Sequence, residues 1–139
     1  MIVWHFGGEV ECKSLAELNS VLKVRYGNGI NEFLIYGDKA YGDKEHGEKE
    51  YPYLAILVNN DYAFMTFFPR KEEENSVFQS VGLDTKLDQN EMSTFYTGTP
   101  TEIIEVWNEF VVPFSKANEA AIEFFTSLSL PTCLEWSKQ

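Results

Sequence analysis

The sequence predicts an α+β fold, a mainly antiparallel sheet with two helices packed on it. Three observations lead there. Two β-rich runs, 53–58 and 62–68, flank Asn59-Asn60-Asp61, and Asn and Asp tolerate the positive φ of a tight hairpin turn. Two stretches, 14–26 and 115–128, carry apolar residues at helical spacing. The remaining strand-like runs are short and do not alternate with helices as a parallel β-α-β array requires. At 139 residues the chain suits one domain, 1–139, with one core.

Residues 2–6 are apolar and aromatic and read as a short strand. Ser14-Leu15-Ala16-Glu17 has the pattern of a capping box, in which a hydroxyl takes a first-turn amide and the Glu reaches back. Leu15, Leu18, Val21 and Leu22 then share one helical face, and Gly27 and Gly29 are set to end the helix near residue 26. Phe33-Leu34-Ile35-Tyr36 is a strand. Residues 37–50 are polar and glycine-punctuated, and read as a loop. In the hairpin, Ile56-Leu57-Val58 is apolar on both faces, so these strands are central. Pro69, with no amide to donate, ends the second of them.

Residues 70–75 are a charged turn, 76–81 a strand, and 83–92 an acidic loop. Residues 94–97 and 101–107 are two strands about the turn at Gly98-Thr99-Pro100. Val112-Pro113 leads into a helix capped by Ser115, with Ala117, Ala120, Ala121, Phe124, Phe125 and Leu128 on one stripe. Pro131 stops it, and Cys133, Leu134 and Trp136 suggest a last strand. The stretch 97–136 therefore reads as a strand–helix–strand unit.

Charge and chemistry narrow the function classes. The formal charge is −11, and it is lopsided: residues 1–71 hold ten acids and eight bases, residues 72–139 twelve acids and three bases. Such a field repels nucleic acid and anionic membranes and favours a basic partner, although solubility alone accounts for it equally well. Cys12 and Cys133 form no CxxC motif and read as reduced thiols. The N-terminal residues resemble no signal peptide and no run approaches membrane-spanning length, so a cytoplasmic protein is expected. His5 and His46 belong to no metal-binding motif, and neither a nucleophile turn nor a phosphate loop is present. No metal, no cofactor and no catalytic residue is expected. A carboxylate pair could still run acid–base chemistry, but nothing singles one out.

The acidic segments are the candidate partner-binding residues: Asp38, Asp43, Glu45, Glu48 and Glu50 in one group, Glu72, Glu73 and Glu74 in a second, and Asp84, Asp88 and Glu91 in a third. Tyr41, Tyr51 and Tyr53 lie in or beside the first, where they could serve an interface or cover a sheet edge. Trp107, Phe110, Phe114, Phe124, Phe125 and Trp136 could line a cavity, but core packing is the commoner use of such residues.

The order of these signals resembles the immunity proteins of bacterial polymorphic toxin systems, specifically the family called Imm-one. The resemblance lies in the apolar hairpin 53–67, the strand pair 94–98 and 102–106, the Val112-Pro113 step, the Ala- and aromatic-rich helix 117–125, and the ending Leu130-Pro131-Thr132-Cys133-Leu134-Glu135-Trp136. The chain departs from the family pattern in its Asn59-Asn60-Asp61 turn and in Ser127 and Ser129 near Leu130. The resemblance implies a non-enzymatic protein that binds and neutralises a cognate toxin, of deaminase or nuclease type, inside the producing cell. An acidic adaptor domain without a toxin and a small carboxylate-based enzyme are the alternatives.

Overall fold

The computed structural model describes residues 1–37, 51–69, 77–82 and 85–139. In chain order the elements are β1 (Ile2–His5), β2 (Gly8–Glu11), α1 (Leu15–Leu22), β3 (Ile30–Tyr36), β4 (Tyr53–Asn59), β5 (Tyr62–Phe68), β6 (Phe78–Ser80), β7 (Met92–Tyr96) and β8 (Ile103–Trp107). A single 3-10 turn, Asn108–Phe110, leads to β9 (Val111–Pro113), α2 (Phe114–Ser127) and β10 (Trp136–Lys138). The fold is α+β and its pairings are antiparallel.

The β4–β5 hairpin forms the middle of the sheet. Asn60 sits at φ +54°, the left-handed conformation its turn requires. The strand order is β10-β6-β5-β4-β3-β1-β2. The outer edge of β5 is shared: β6 pairs with Thr66 and Phe67, while β9 pairs with Tyr62, Ala63 and Phe64. A second, two-stranded sheet, β7–β8, has its own ladder and shares no strand with this one.

Alternation along the central strands sends Phe33, Ile35, Leu54, Ile56, Val58, Ala63, Met65 and Phe67 to one face, all buried. Both helices cover that face. α1 supplies Leu18, Val21 and Leu22, and α2 supplies Ala117, Ala120, Ala121 and Phe124. Three alanines let α2 lie close to the sheet, so that Phe124 reaches Phe67 edge-on, with centroids 6.0 Å apart. Arg25 joins the helices to the sheet. Its guanidinium lies 4.6 Å from the Phe114 ring centre, and it donates to the carbonyls of Leu22 and Val24.

Several boundaries differ from expectation for identifiable reasons. The Ser14 hydroxyl accepts from the Glu17 amide and the Glu17 carboxylate takes the Lys13 amide, so the helix starts where the capping pattern put it. It stops at Leu22, not residue 26, because the chain is then drawn toward the sheet. Buried Asn31 donates to the Val24 carbonyl, and Tyr26 bridges to Ile30. Gly27 and Gly29 shape that turn and do not cap α1. β2 was not anticipated; it follows from Gly8, whose φ of +116° closes a tight turn on β1.

The strand–helix–strand reading of 97–136 is corrected: β8 belongs to the separate two-stranded sheet, and it is β9 and β10 that flank α2 in the main one. α2 begins at Phe114, with Pro113 as its N-cap and no side-chain cap, so Ser115 lies inside the helix. Leu128 is not on the buried stripe. It caps α2 in the left-handed conformation and is 45% exposed. Cys133 and Leu134 fall in the turn before β10.

Candidate protein-docking face

The second face of the central sheet is covered over Leu57 and Phe64 by the β7–β8 hairpin. Phe95 and Val106 point inward and pack with Leu57, Phe64 and Val111, with Leu87 and Phe110 at the margin. Register fixes which side chains point the other way. Met92 opposes Trp107, Thr94 opposes Glu105, and Tyr96 opposes Ile103. These six share the outer face. Ile103 is 62% exposed, Trp107 46% and Met92 42%, and Glu105 between them is exposed. Trp107, expected in the core or in a cavity, is therefore a surface residue.

Buried polar groups hold this hairpin in place. Glu32 on β3 is 8% exposed, and its carboxylate accepts from the Gly98 amide at 2.8 Å and the Thr97 hydroxyl at 3.0 Å, which pins the hairpin tip. Asn59 at the end of β4 donates to the Thr94 carbonyl at 2.9 Å. At the base, buried Asn108 donates to the Asp88 carbonyl at 2.7 Å and accepts from the Ser93 hydroxyl. Next to it the Gly82 amide donates to the Glu109 carbonyl at 2.7 Å. A Cβ at Gly82 would fall 1.8 Å from the Val111 carbonyl oxygen, so no other residue fits that approach. The outer face is thus fixed by its supports, as a preformed binding surface must be.

The electrostatics around it are one-sided. Residues 85–110 contain Asp88, Glu91, Glu102, Glu105 and Glu109 against Lys86 alone, and all six are exposed. An apolar, aromatic centre inside a charged rim is the anatomy of a protein interface. Large exposed apolar side chains clustered on one small sheet, rather than scattered, mark an interaction site.

Of the sequence-predicted partner-binding residues, Asp88 lies at the base of this hairpin. It is exposed; its carboxylate accepts from the Asn90 amide at 2.9 Å and its carbonyl holds Asn108. Asp38, Tyr41, Asp43, Glu45, Glu48, Glu50, Glu72, Glu73, Glu74 and Asp84 lie outside the described residues, as does His46. Tyr53, at the start of the expected strand beside the acidic loop, is buried in β4 and stacks on Phe68 with centroids 4.4 Å apart. Burial and its neighbour Tyr51 push its hydroxyl pKa upward. Burial, with Glu9 beside it, pushes Tyr36 up to about 12.

Among the described residues no group of three or more His, Cys, Asp or Glu could hold a metal ion, and no helix is long and apolar enough to cross a membrane. Burial raises both thiols, Cys12 and Cys133, which keeps them protonated and poorly nucleophilic. A groove of about 680 Å³ runs between α1 and the start of α2, lined by Asn19, Lys23, Asp61, Phe114, Asn118 and Ile122 among others. Among the described residues Asp61 is the single carboxylate that lines it.

The sequence carries only an indirect signal of the exposure of Ile103 and Trp107. In Glu102-Ile103-Ile104-Glu105-Val106-Trp107 the apolar residues occupy both faces, while the strand is too short and acid-flanked to be central. No family model matches the chain, and no curated protein is significantly similar to it.

Proposed function

We propose that this chain is a protein-binding domain that captures and neutralises a cognate toxin domain bearing a basic surface. The observation that carries the binding role is the outer face of β7–β8, where Met92, Ile103 and Trp107 stand exposed about Glu105, with Asp88, Glu91, Glu102 and Glu109 exposed in the adjoining chain. The toxin as partner comes from the resemblance to the Imm-one immunity proteins, whose hairpin, Val-Pro step and terminal Pro and Trp this chain reproduces in order. Opposite charge accelerates encounter with a basic cleft, while the apolar centre supplies the slow dissociation that inhibition requires. The producing cell's cytoplasm is where such a complex would act.

An adaptor domain without a toxin partner would use the same face. Co-expression with the C-terminal domain of the protein encoded immediately upstream separates the two. The toxin reading predicts a one-to-one complex, weakened by salt, that restores growth to cells expressing the upstream domain. An upstream domain that is harmless and forms no complex leaves the adaptor reading in its place.

A further inference from the structure

Among the described residues the β7–β8 ladder leaves one strand edge open. The Thr97 amide donates to the Glu102 carbonyl, and the Asn108 amide to the Glu91 carbonyl. With the register between them, this places the inward-bonding positions of β8 at Ile104 and Val106. The amides and carbonyls of Ile103, Glu105 and Trp107 therefore point away from β7. Among the described residues none of them has a partner. On the opposite strand the corresponding outward group is used, since the Thr94 carbonyl accepts from Asn59. Among the described residues β8 is thus an edge strand with β-branched and aromatic side chains, Ile103, Ile104, Val106 and Trp107, and with its outward backbone groups unpaired. An edge of that kind is a template for another strand.

Glu105 determines which strand. A second copy of the chain could pair antiparallel about the centre of β8, which would set Ile103 against Trp107. It would also set Glu105 directly opposite its own equivalent. Like charges directly opposite one another oppose that pairing, whereas a strand of the other sign is attracted there.

We infer that β8 accepts an extended segment of the partner as a third strand added to its outer edge, with a basic side chain opposite Glu105 and apolar ones opposite Ile103 and Trp107. Backbone pairing would give affinity and the alternating side chains specificity. This rests on the docking role given to the hairpin above and adds the form in which the partner binds.

The test needs no toxin. The full chain, ¹⁵N-labelled, is titrated with the peptide Thr-Val-Thr-Lys-Thr-Val-Thr and, separately, with the same peptide carrying Glu in place of Lys. The basic peptide is expected to shift the Ile103, Glu105 and Trp107 amides and to slow their exchange by about tenfold or more, less so at high salt. The acidic peptide is expected to do neither. Ile103→Pro, which removes one outward donor, should weaken the basic peptide, whereas Ile103→Val should not. If Ile103→Pro does not fold, the two peptides on the wild-type chain decide alone. Outward amides unmoved by millimolar basic peptide would overturn the inference. So would equal binding by the two Ile103 variants, or a free chain that already dimerises with these amides protected, which would make a second copy the occupant. Toxin binding that leaves the three amides exchanging freely overturns strand addition alone. Peptide binding beside a toxin that does not bind overturns the toxin reading alone.

Discussion

The two faces of the central sheet are covered in different ways. On one, two helices seal Phe33, Ile35, Leu54, Ile56, Val58 and Met65 completely, and the helices' own exposed positions are mostly polar, with Leu15 and Ala16 at the start of α1 as exceptions. On the other, a two-stranded hairpin seals Leu57 and Phe64 but leaves its own outer face apolar. A helix solves burial with one stripe, because its remaining positions can all be polar. A strand pair presents two faces, and here the second carries Met92, Ile103 and Trp107 where a merely structural cover would carry polar residues. The helix face is therefore explained by stability, and the hairpin face is not.

That contrast can be broken by mutation. The largest effect belongs to the helix side. Phe124→Ala should cost about 3–5 kcal/mol, since the ring is fully buried against Phe67, and chemical denaturation should show one cooperative transition moved to lower denaturant. Trp136, half-buried with its indole N–H donating to the Pro131 carbonyl, should cost less on truncation than Phe124. Next comes the hairpin's anchor. Glu32→Ala leaves the Gly98 amide and Thr97 hydroxyl without their acceptor, at about 1–3 kcal/mol. Amide exchange should then rise across β7 and β8 while the β3–β4–β5 ladder stays protected. Uniform loosening of both sheets would show that the hairpin is not a separate unit.

Trp107→Ala should change stability by about 0.5 kcal/mol or less, in the range of ordinary surface substitutions. A loss approaching that of Phe124→Ala would mean the indole is structural after all. The smallest effects are those of pH, because they vanish near neutrality. His5 is buried, its Nδ1 accepts from the Gly7 amide, and burial lowers its pKa below the usual 6.5. The unfolded chain then binds a proton that the folded chain refuses, so stability falls as pH drops below 6.5. Tyr36 acts at the other end. Its folded pKa near 12 exceeds its ordinary 10, so the stability it confers is full below pH 10 and is lost as pH rises from 10 through about 12. Thermal melts of His5→Gln and Tyr36→Phe should be flatter than wild type in those two windows and parallel to it between them.

Much of the architecture was legible in local signals. Asn59-Asn60-Asp61 marked a hairpin, Ser14 with Glu17 marked a helix start, and the alanines of α2 marked its buried side. What was not legible depended on distant residues. Nothing near Leu22 indicates that Asn31 will take the Val24 carbonyl and end the helix. Nothing near Trp107 indicates that β8 pairs with β7 alone rather than joining the main sheet, which is what leaves the indole outside. The site was legible only in its sign. Acid-rich segments pointed to a basic partner, and Asp88 proved to stand at the foot of the docking face, but apolar residues at 103 and 107 read as core. A sequence shows that a side chain is apolar; only the strand order shows whether anything lies over it.

The most direct test of the docking face is the affinity of the upstream toxin domain for the wild-type chain and for Trp107→Ala, measured beside the melting temperature of each. The predicted result is an affinity at least about thirtyfold weaker in the variant, as for a central aromatic anchor, with the melting temperature unchanged. Equal affinity for the two chains would contradict it and place the partner elsewhere on the molecule.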